Sequence, residues 1–187
     1  MRERRARGIG NDGRISAHGS ISATGGRGGN GGRYQGLADC DGGHGGDGNN
    51  ERIIGSGTGS TVTVVGGAGS GGDASGEGGD GGHGNDGKVT VEDGFPDTVA
   101  VRAIGGRGRS GGVAFGSGYD GGGGRGGNGN NRTIEVLLAG RAYVQGGDGG
   151  NGEPAGRGGK GNDGTILTVP PGAYDAPGGT DGTNVRY

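Results

Sequence analysis

The sequence predicts an all-β and irregular fold without α-helix: a flat two-layer solenoid of about four coils, each carrying two short parallel-stacked strands and two glycine-rich legs. Three observations predict it. A Gly-Asn-Asx step recurs five times, and each time an aliphatic residue stands four places after the Asn: Asn11 then Ile15, Asn49 then Ile53, Asn85 then Val89, Asn130 then Ile134, Asn162 then Ile166. The Asn-to-Asn spacings are 38, 36, 45 and 32 residues, the range of a stacked repeat. Short runs of alternating Thr, Val and Ile follow every step, and Gly, 61 of 187 residues, fills most of the remainder.

Each repeat reads in the same order. A first strand follows the landmark, at 14–17, 52–54, 88–91, 133–138 and 165–169, and after a turn a second strand follows at 20–24, 61–65, 98–104 and 141–145. Both sets alternate with period two and are rich in β-branched residues, the pattern of a half-buried strand. Gly-Gly then comes directly, at Gly25-Gly26, Gly66-Gly67, Gly105-Gly106 and Gly146-Gly147, with no turn residue between. A first glycine leg runs on, a variable loop interrupts, and a second leg returns to the next landmark. In the second legs the non-Gly residues fall three apart, as His44 and Asp47, Asp80 and His83, Arg125 and Asn128, Arg157 and Lys160. Period three with Gly in the other two places fits an extended left-handed threefold helix, polyglycine II, which has no internal hydrogen bonds and must pair with neighbouring legs. Only Gly lets those backbones approach.

If the loop and the strand-strand turn each reverse the chain, every repeat closes into a flat coil, one half β and the other half glycine leg. Strand then lies on strand in parallel, with Ile21, Val62, Val64, Val89, Val91, Val99, Val101, Ile134, Val136 and Val144 as the expected core. The organisation expected is a basic N-terminal arm at 1–9, a repeat domain at 10–164 (coils 10–47, 48–83, 84–128 and 129–160), and a terminal strand with C-terminal cap at 161–187. The arm holds Arg2, Arg4, Arg5 and Arg7, either a seat for an acidic partner surface or a solvated tail.

Composition excludes several classes. Collagen needs a strict Gly-X-Y register rich in Pro, and Gly-Gly pairs break the register while only 5 Pro occur. Disorder competes, since apolar residues are 25% of the chain, but the aliphatics sit at fixed places in the repeat, unlike a low-complexity linker. A formal charge of −2 gives no pull toward nucleic acid or membrane. Cys40 is the single cysteine, so no intrachain disulfide forms. No apolar stretch approaches ~18 residues and no signal-type apolar region follows Met1, so neither a membrane span nor a Sec signal is expected.

The strand and Gly-Gly pattern, as in GRISAHGSISATGGRGGNGG, resembles the glycine-rich β-helix repeats of bacterial surface proteins. The second legs resemble the polyglycine-II bundles of phage tail-fibre adhesins and, more distantly, those of springtail antifreeze proteins and mycobacterial glycine-rich surface repeats. The closing TILTVPPGAYDAPGG is similar to segments of glycine-rich phage tail proteins. These resemblances cover nearly the whole chain and imply an architecture for adhesion or structure, in a virion or at a cell surface.

Candidate sites divide by chemistry. His44, Asp47, Asp80, His83 and Asp86 invite a metal site, yet alignment on the landmark places His44, Asp80, Arg125 and Arg157 in one column and Asp47, His83, Asn128 and Lys160 in the next. That arrangement reads better as a charge-complementary ladder, whose Arg and Lys members repel a cation. GGHGND and GGKGND match the start of the calcium-binding nonapeptide, but the tandem repeat and its apolar eighth position are missing, with Lys88 and Thr165 there instead. No Gly-x-Gly-x-x-Gly follows a strand and opens a helix, and no nucleophile elbow is present, so neither enzyme nor cofactor is expected. An ice-binding face requires a regular uncharged array, and the expected outward positions Thr61, Thr63, Thr90, Glu92, Arg102, Glu135, Arg141 and Tyr143 interrupt it with charge.

Recognition through loops on a rigid scaffold remains. The loops between legs, at 33–40, 73–78, 113–120 and 153–156, vary most and are expected at one end of the stack. Tyr34, Leu37, Phe115 and Tyr119 lie in them, and they either bind a partner surface or seal the end of the core. The expected function is a non-enzymatic structural and adhesive protein of a phage virion or extracellular fibre. Its expected partners are a host-surface glycan or protein, or other structural proteins of the same particle. A self-assembling filament subunit, joined head to tail, and an ice-binding protein are the alternatives.

Overall fold

The computed structural model describes residues 8–28, 41–72, 76–96, 98–112, 121–138, 140–169 and 173–183. These form ten strands: β1 (Ile15–His18), β2 (Ile21–Thr24), β3 (Arg52–Ser56), β4 (Val62–Val65), β5 (Lys88–Val91), β6 (Val99–Ile104), β7 (Thr133–Val136), β8 (Arg141–Gln145), β9 (Thr165–Thr168) and β10 (Tyr174–Asp175). There is no helix among the described residues. Odd-numbered strands build one parallel five-stranded sheet in the order β1-β3-β5-β7-β9, and even-numbered strands build a second in the order β10-β8-β6-β4-β2. The sequential strand thus never pairs with its neighbour in the chain. It pairs with its counterpart one repeat away, as the landmark spacing predicts.

Register follows from the landmark. Ile15, Ile53, Val89, Ile134 and Ile166 stand opposite one another across the first sheet. Ile21, Val62, Val101, Ala142 and Tyr174 do the same across the second. The inward faces share a single cluster, in which Ile53, Val62, Val64, Val89, Val91, Val101, Ile134, Val136 and Val144 are fully buried. Alternate pointing along each strand leaves the other face of the second sheet largely polar, where Ser22, Thr63, Arg102, Tyr143 and Asp175 form an outward row.

Nine of the ten expected core residues are buried, and Val99 is the correction: it is 46% exposed. Val99 pairs with Arg141 while Val101 pairs with Ala142, so Ala100 is an extra residue in β6, and both Ala100 and Val101 are buried. A bulge turns the chain by one place and sends Val99 outward. Thr90, expected outward, stands in the outward row beside Glu135 but is covered there, its hydroxyl donating to Glu135 Oε2 at 3.1 Å. The C-terminal region also holds more than a strand and cap. β10 extends the second sheet, and residues 176–183 continue as a glycine-containing segment bonded to the repeat before it, with Gly146 N–H donating to Pro177 O at 3.0 Å and Gly149 N–H to Thr180 O at 2.8 Å.

The glycine segments pair in a fixed alternation. Gly26 N–H donates to Gly8 O, Gly46 to Gly26, Gly67 to Gly46, Gly82 to Gly67, Gly106 to Gly82, Gly127 to Gly106, Gly147 to Gly127, Gly159 to Gly147 and Gly179 to Gly159, all between 2.5 and 2.9 Å. The chain of bonds crosses between first and second legs at every step, so each leg is held by legs of both kinds. A parallel chain lies three residues along, from Ser70 N–H on Gly43 O to Gly182 N–H on Gly156 O. Side chains have no room here: a Cβ on Gly126 would lie 1.8 Å from Gly147 O, and one on Gly81 1.9 Å from Gly106 O. Period three, read from the sequence, therefore coincides with the backbone atoms that meet.

Candidate functional site

The landmark Asn side chains form a buried ladder. Asn11 Nδ2 donates to Asn49 Oδ1 at 2.7 Å, Asn49 to Asn85 at 2.8 Å, Asn85 to Asn130 at 2.7 Å and Asn130 to Asn162 at 2.8 Å. The second N–H of Asn49, Asn85, Asn130 and Asn162 goes to the carbonyl two residues on in the same chain, and each Oδ1 also accepts the amide of that residue. Only a carboxamide carries both roles at once. Asp fails because it has no donor, which is why the first Asx of the landmark is always Asn while the next alternates between Asp and Asn. In the sequence this Asn serves only to mark the repeat and its register, although its invariance at five landmarks was the available signal for the ladder.

The His and Asp residues proposed as metal ligands stand on the outer faces of the second legs, where every third backbone N–H has no neighbouring leg to meet. Side chains from the adjacent repeat accept these amides. His44 Nδ1 accepts Asp80 N–H at 3.0 Å, Asp47 Oδ1 accepts His83 N–H at 2.7 Å, Asp80 Oδ1 accepts Arg125 N–H at 2.7 Å, His83 Nδ1 accepts Asn128 N–H at 3.0 Å and Asn128 Oδ1 accepts Lys160 N–H at 2.8 Å. The ladder is thus side chain to backbone. Only His44 and Asp80 also come within ion-pair distance, at 3.4 Å. Asp86 is apart from them, 3.8 Å from Arg132 Nε. One acceptor atom of each of His44, Asp47, Asp80 and His83 is engaged by a backbone amide, and among the described residues no group of three or more His, Cys, Asp or Glu is arranged to hold a metal ion.

A first leg carries the same device. Asp148 Oδ1 accepts both the amide and the hydroxyl of Thr180, at 3.0 and 2.9 Å, and its Oδ2 lies 3.1 Å from Arg107. The Thr180 amide and hydroxyl hold the Asp148 carboxyl below its ordinary 3.8, against a small opposing effect of burial, and Arg107 adds to the lowering. Asn151 Oδ1 accepts Thr183 N–H at 2.9 Å in the next turn of the leg.

Tyr34, Leu37, Phe115 and Tyr119 lie outside the described residues. The described residues nearest the loops do meet: Gly112 N–H donates to Gly76 O at 2.9 Å, Gly121 N–H to Gly112 O at 2.9 Å and Gly111 N–H to Asn151 O at 3.0 Å. Legs 105–111 and 121–127 run antiparallel, since a Cβ on Gly105, Gly108 or Gly111 would meet the carbonyl of Gly127, Gly124 or Gly121. Exposed apolar side chains missed from the sequence lie away from the loops: Leu137 and Leu138 just after β7, Leu167 within β9, Val169 just after it, and Phe95 against Gly59. On the second sheet the outward row turns from Ser22 and Thr63 to charge, with the Arg102 guanidinium 5.1 Å above the Tyr143 ring. No helix of the described residues is long and apolar enough to cross a membrane.

No family model matches this chain, and neither does any curated protein or solved structure.

Proposed function

We propose that this protein is a non-enzymatic structural and adhesive scaffold, a flat two-layer solenoid of glycine-rich coils that presents binding loops in a phage virion, at a tail fibre or tail tip, or in an extracellular fibre. Threefold spacing in the legs, the alternating leg-to-leg bonds and the two parallel sheets support the solenoid and the polyglycine-II reading of its legs. The observation that carries the function is the meeting of the loop roots, Gly76, Gly111, Gly112, Gly121 and Asn151, on one hydrogen-bonded frame. Loops rooted there vary in length without disturbing the layers beneath, so sequence change concentrates where a partner is met. Tyr34, Leu37, Phe115 and Tyr119 give those loops large amphipathic surface suited to a glycan or protein face. On the leg faces the His44, Asp47, Asp80 and His83 side chains accept backbone amides, and this reading gives them a structural role.

The test is binding of the labelled protein to a glycan array and to intact bacterial cells, beside a variant carrying Phe115→Ala and Tyr119→Ala. Binding lost in the variant with an unchanged far-ultraviolet circular dichroism spectrum supports the reading. Equal binding by both proteins, or none by either, refutes it. The charged outward row of the second sheet disfavours ice binding, and thermal hysteresis near zero is expected.

A further inference from the structure

The two ends of the described stack are complementary to each other, and we infer that the partner of each end is a second copy of this chain, joined head to tail by translation. Four of the hydrogen-bond series among the described residues each stop at one end on the group that the other end lacks. Among the described residues the Asn ladder ends at Asn162, whose Nδ2 donates to Gly164 O and meets no further Asn Oδ1, whereas Asn11 Oδ1 accepts Gly13 N–H and meets no earlier Asn Nδ2. The leg series begins at Gly8, a second-leg residue, and ends at Gly179, a first-leg residue. Because the series alternates between the two kinds of leg, Gly8 N–H of one copy on Gly179 O of the next continues it without a gap.

The landmark backbone repeats the pattern. Gly129 N–H donates to Lys160 O at 2.9 Å and Asn130 N–H to Gly161 O at 3.1 Å, while the equivalent Gly161 and Asn162 amides have no acceptor among the described residues. The equivalent carbonyls at the other end are Ile9 and Gly10. In the reverse direction Asp163 N–H donates to Asn130 O at 2.8 Å, Asn131 N–H to Asn85 O at 2.8 Å and Asn50 N–H to Asn11 O at 3.0 Å. Among the described residues Asp12 N–H is the unfilled donor of that series and Asn162 O its unfilled acceptor. Donors and acceptors thus match in number, order and direction.

Apolar surface matches too. The core row of the first sheet ends in Ile15 and Ile166, both only partly buried although the residues between them are fully buried. The second-sheet row ends in Tyr174, 41% exposed, in register with Ile21 at the other end. Among the described residues the last layer holds β9, β10 and a first leg, and no second leg is described there. Gly8-Ile9-Gly10 of the next copy is the close of a second leg and occupies that place. Parallel strands of adjacent copies then lie about 4.8 Å apart, as they do within one. The contact is heterologous and does not close, so it generates a filament and not a dimer. It is independent of the adhesive reading, since a filament without ligand and a monomeric adhesin are both possible proteins.

The experiment is sedimentation velocity over a concentration series for the wild-type chain, for one variant at each end, and for their mixture. Ser56 Oγ donates to Ala17 O at 3.4 Å, so Ala17 faces β3 and the Ser16 amide faces the free edge of β1. Ser16→Pro removes an amide that only another copy would use. Ile166→Lys sets a charge on the other end, hydrated in the single chain and buried in the contact. The wild-type mass is expected to grow with concentration, and each variant alone to remain monomeric. Their equimolar mixture is expected to form dimers and stop there, because one intact end of each kind remains. Circular dichroism checks the fold, and Ile15→Lys replaces Ser16→Pro should the proline unfold the chain. A monodisperse wild-type monomer at every concentration, polymerisation of the variants equal to wild type, or a mixture without dimers overturns the inference.

Discussion

Asn85 shows how much one buried amide carries in this chain. It is fully buried, receives Asn49 Nδ2, and donates to both Asn130 Oδ1 and Gly87 O. Asn85→Leu keeps the volume but leaves a donor on one side and an acceptor on the other without partners, each costing about 1–3 kcal/mol. A loss on the order of 4 kcal/mol in dilute protein is expected from denaturant unfolding. Asn11→Leu, at the end of the ladder, breaks one rung and the short bond to Gly13, and about 1–2 kcal/mol is expected. Equal losses would mean that the ladder does not act as a series. Glycine divides in the same manner. Gly126→Ala places a methyl 1.8 Å from Gly147 O and 2.8 Å from Gly159 N, backbone on two sides that no rotamer relieves, and a loss on the order of 3 kcal/mol or more is expected. A Cβ on Gly13 meets nothing within 4 Å, and Gly13→Ala is expected within ~1 kcal/mol of wild type in the same unfolding assay.

At the scale of elements, strands were legible and their irregularities were not. Alternating Thr, Val and Ile marked β4, β5 and β7 because burial on one face of a strand selects every second residue. The bulge in β6 left no such mark: Val99-Ala100-Val101 alternates correctly by itself, and only pairing with Arg141 and Ala142 reveals the extra residue. Ala23, Ala103 and Ala142 escaped notice because Ala is a weak apolar signal, yet Ala23, Val64, Ala103 and Val144 form one row in which small and larger residues alternate. For the candidate site, the columns of His44, Asp80 and Arg125 and of Asp47, His83 and Asn128 were readable by alignment. Their hydrogen-bond target was not, because a backbone amide has no letter in the sequence. β10 was missed since two residues carry no period. The segment it leads into is tied to the preceding first leg through Asp148, which yields a pH expectation. A carboxyl held below 3.8 when folded adds stability above its unfolded pKa, and that stability is lost as pH falls through the folded value. Asp148 is partly exposed, so the effect is small and screened by salt. Hydrogen exchange of the Thr180 amide is expected to show weaker protection as the solution is acidified into that range, and Asp148→Asn, which keeps an acceptor but does not titrate, is expected to remove the dependence. The same acid response in both proteins would assign it elsewhere.

Across the whole molecule each repeat touches only the repeats on either side, through strand pairs, the Asn ladder and the leg series, so stability is expected to behave as a sum over neighbouring layers. Landmark equivalence then states where the chain tolerates surgery. Gly84 and Gly129 occupy the same place in successive repeats, as do Asn85 and Asn130, which lie 45 residues apart. Removing 85–129 joins Gly84 directly to Asn130. In the shortened chain Asn49 meets Asn130, Val62 meets Ala142, Ile53 meets Ile134 and Gly82 meets Gly147, each a pair of the kind already present. The bulge at Val99 leaves with the repeat, and β8, whose Ala142 lies opposite Val101, fits β4 without one. The shortened protein is expected to keep its far-ultraviolet spectrum and a cooperative transition, with a lower midpoint from the loss of one layer. Removing only 85–104 takes β5 and β6 but leaves the first leg that follows them, so Gly84 runs into Gly105 where a landmark should stand. Both sheets then lose their register above that point. That chain is expected not to fold, although it is shortened by fewer residues. Thermal unfolding followed by circular dichroism distinguishes the two outcomes, and a half-repeat deletion as stable as the whole-repeat one would show that the layer is not the unit of this fold.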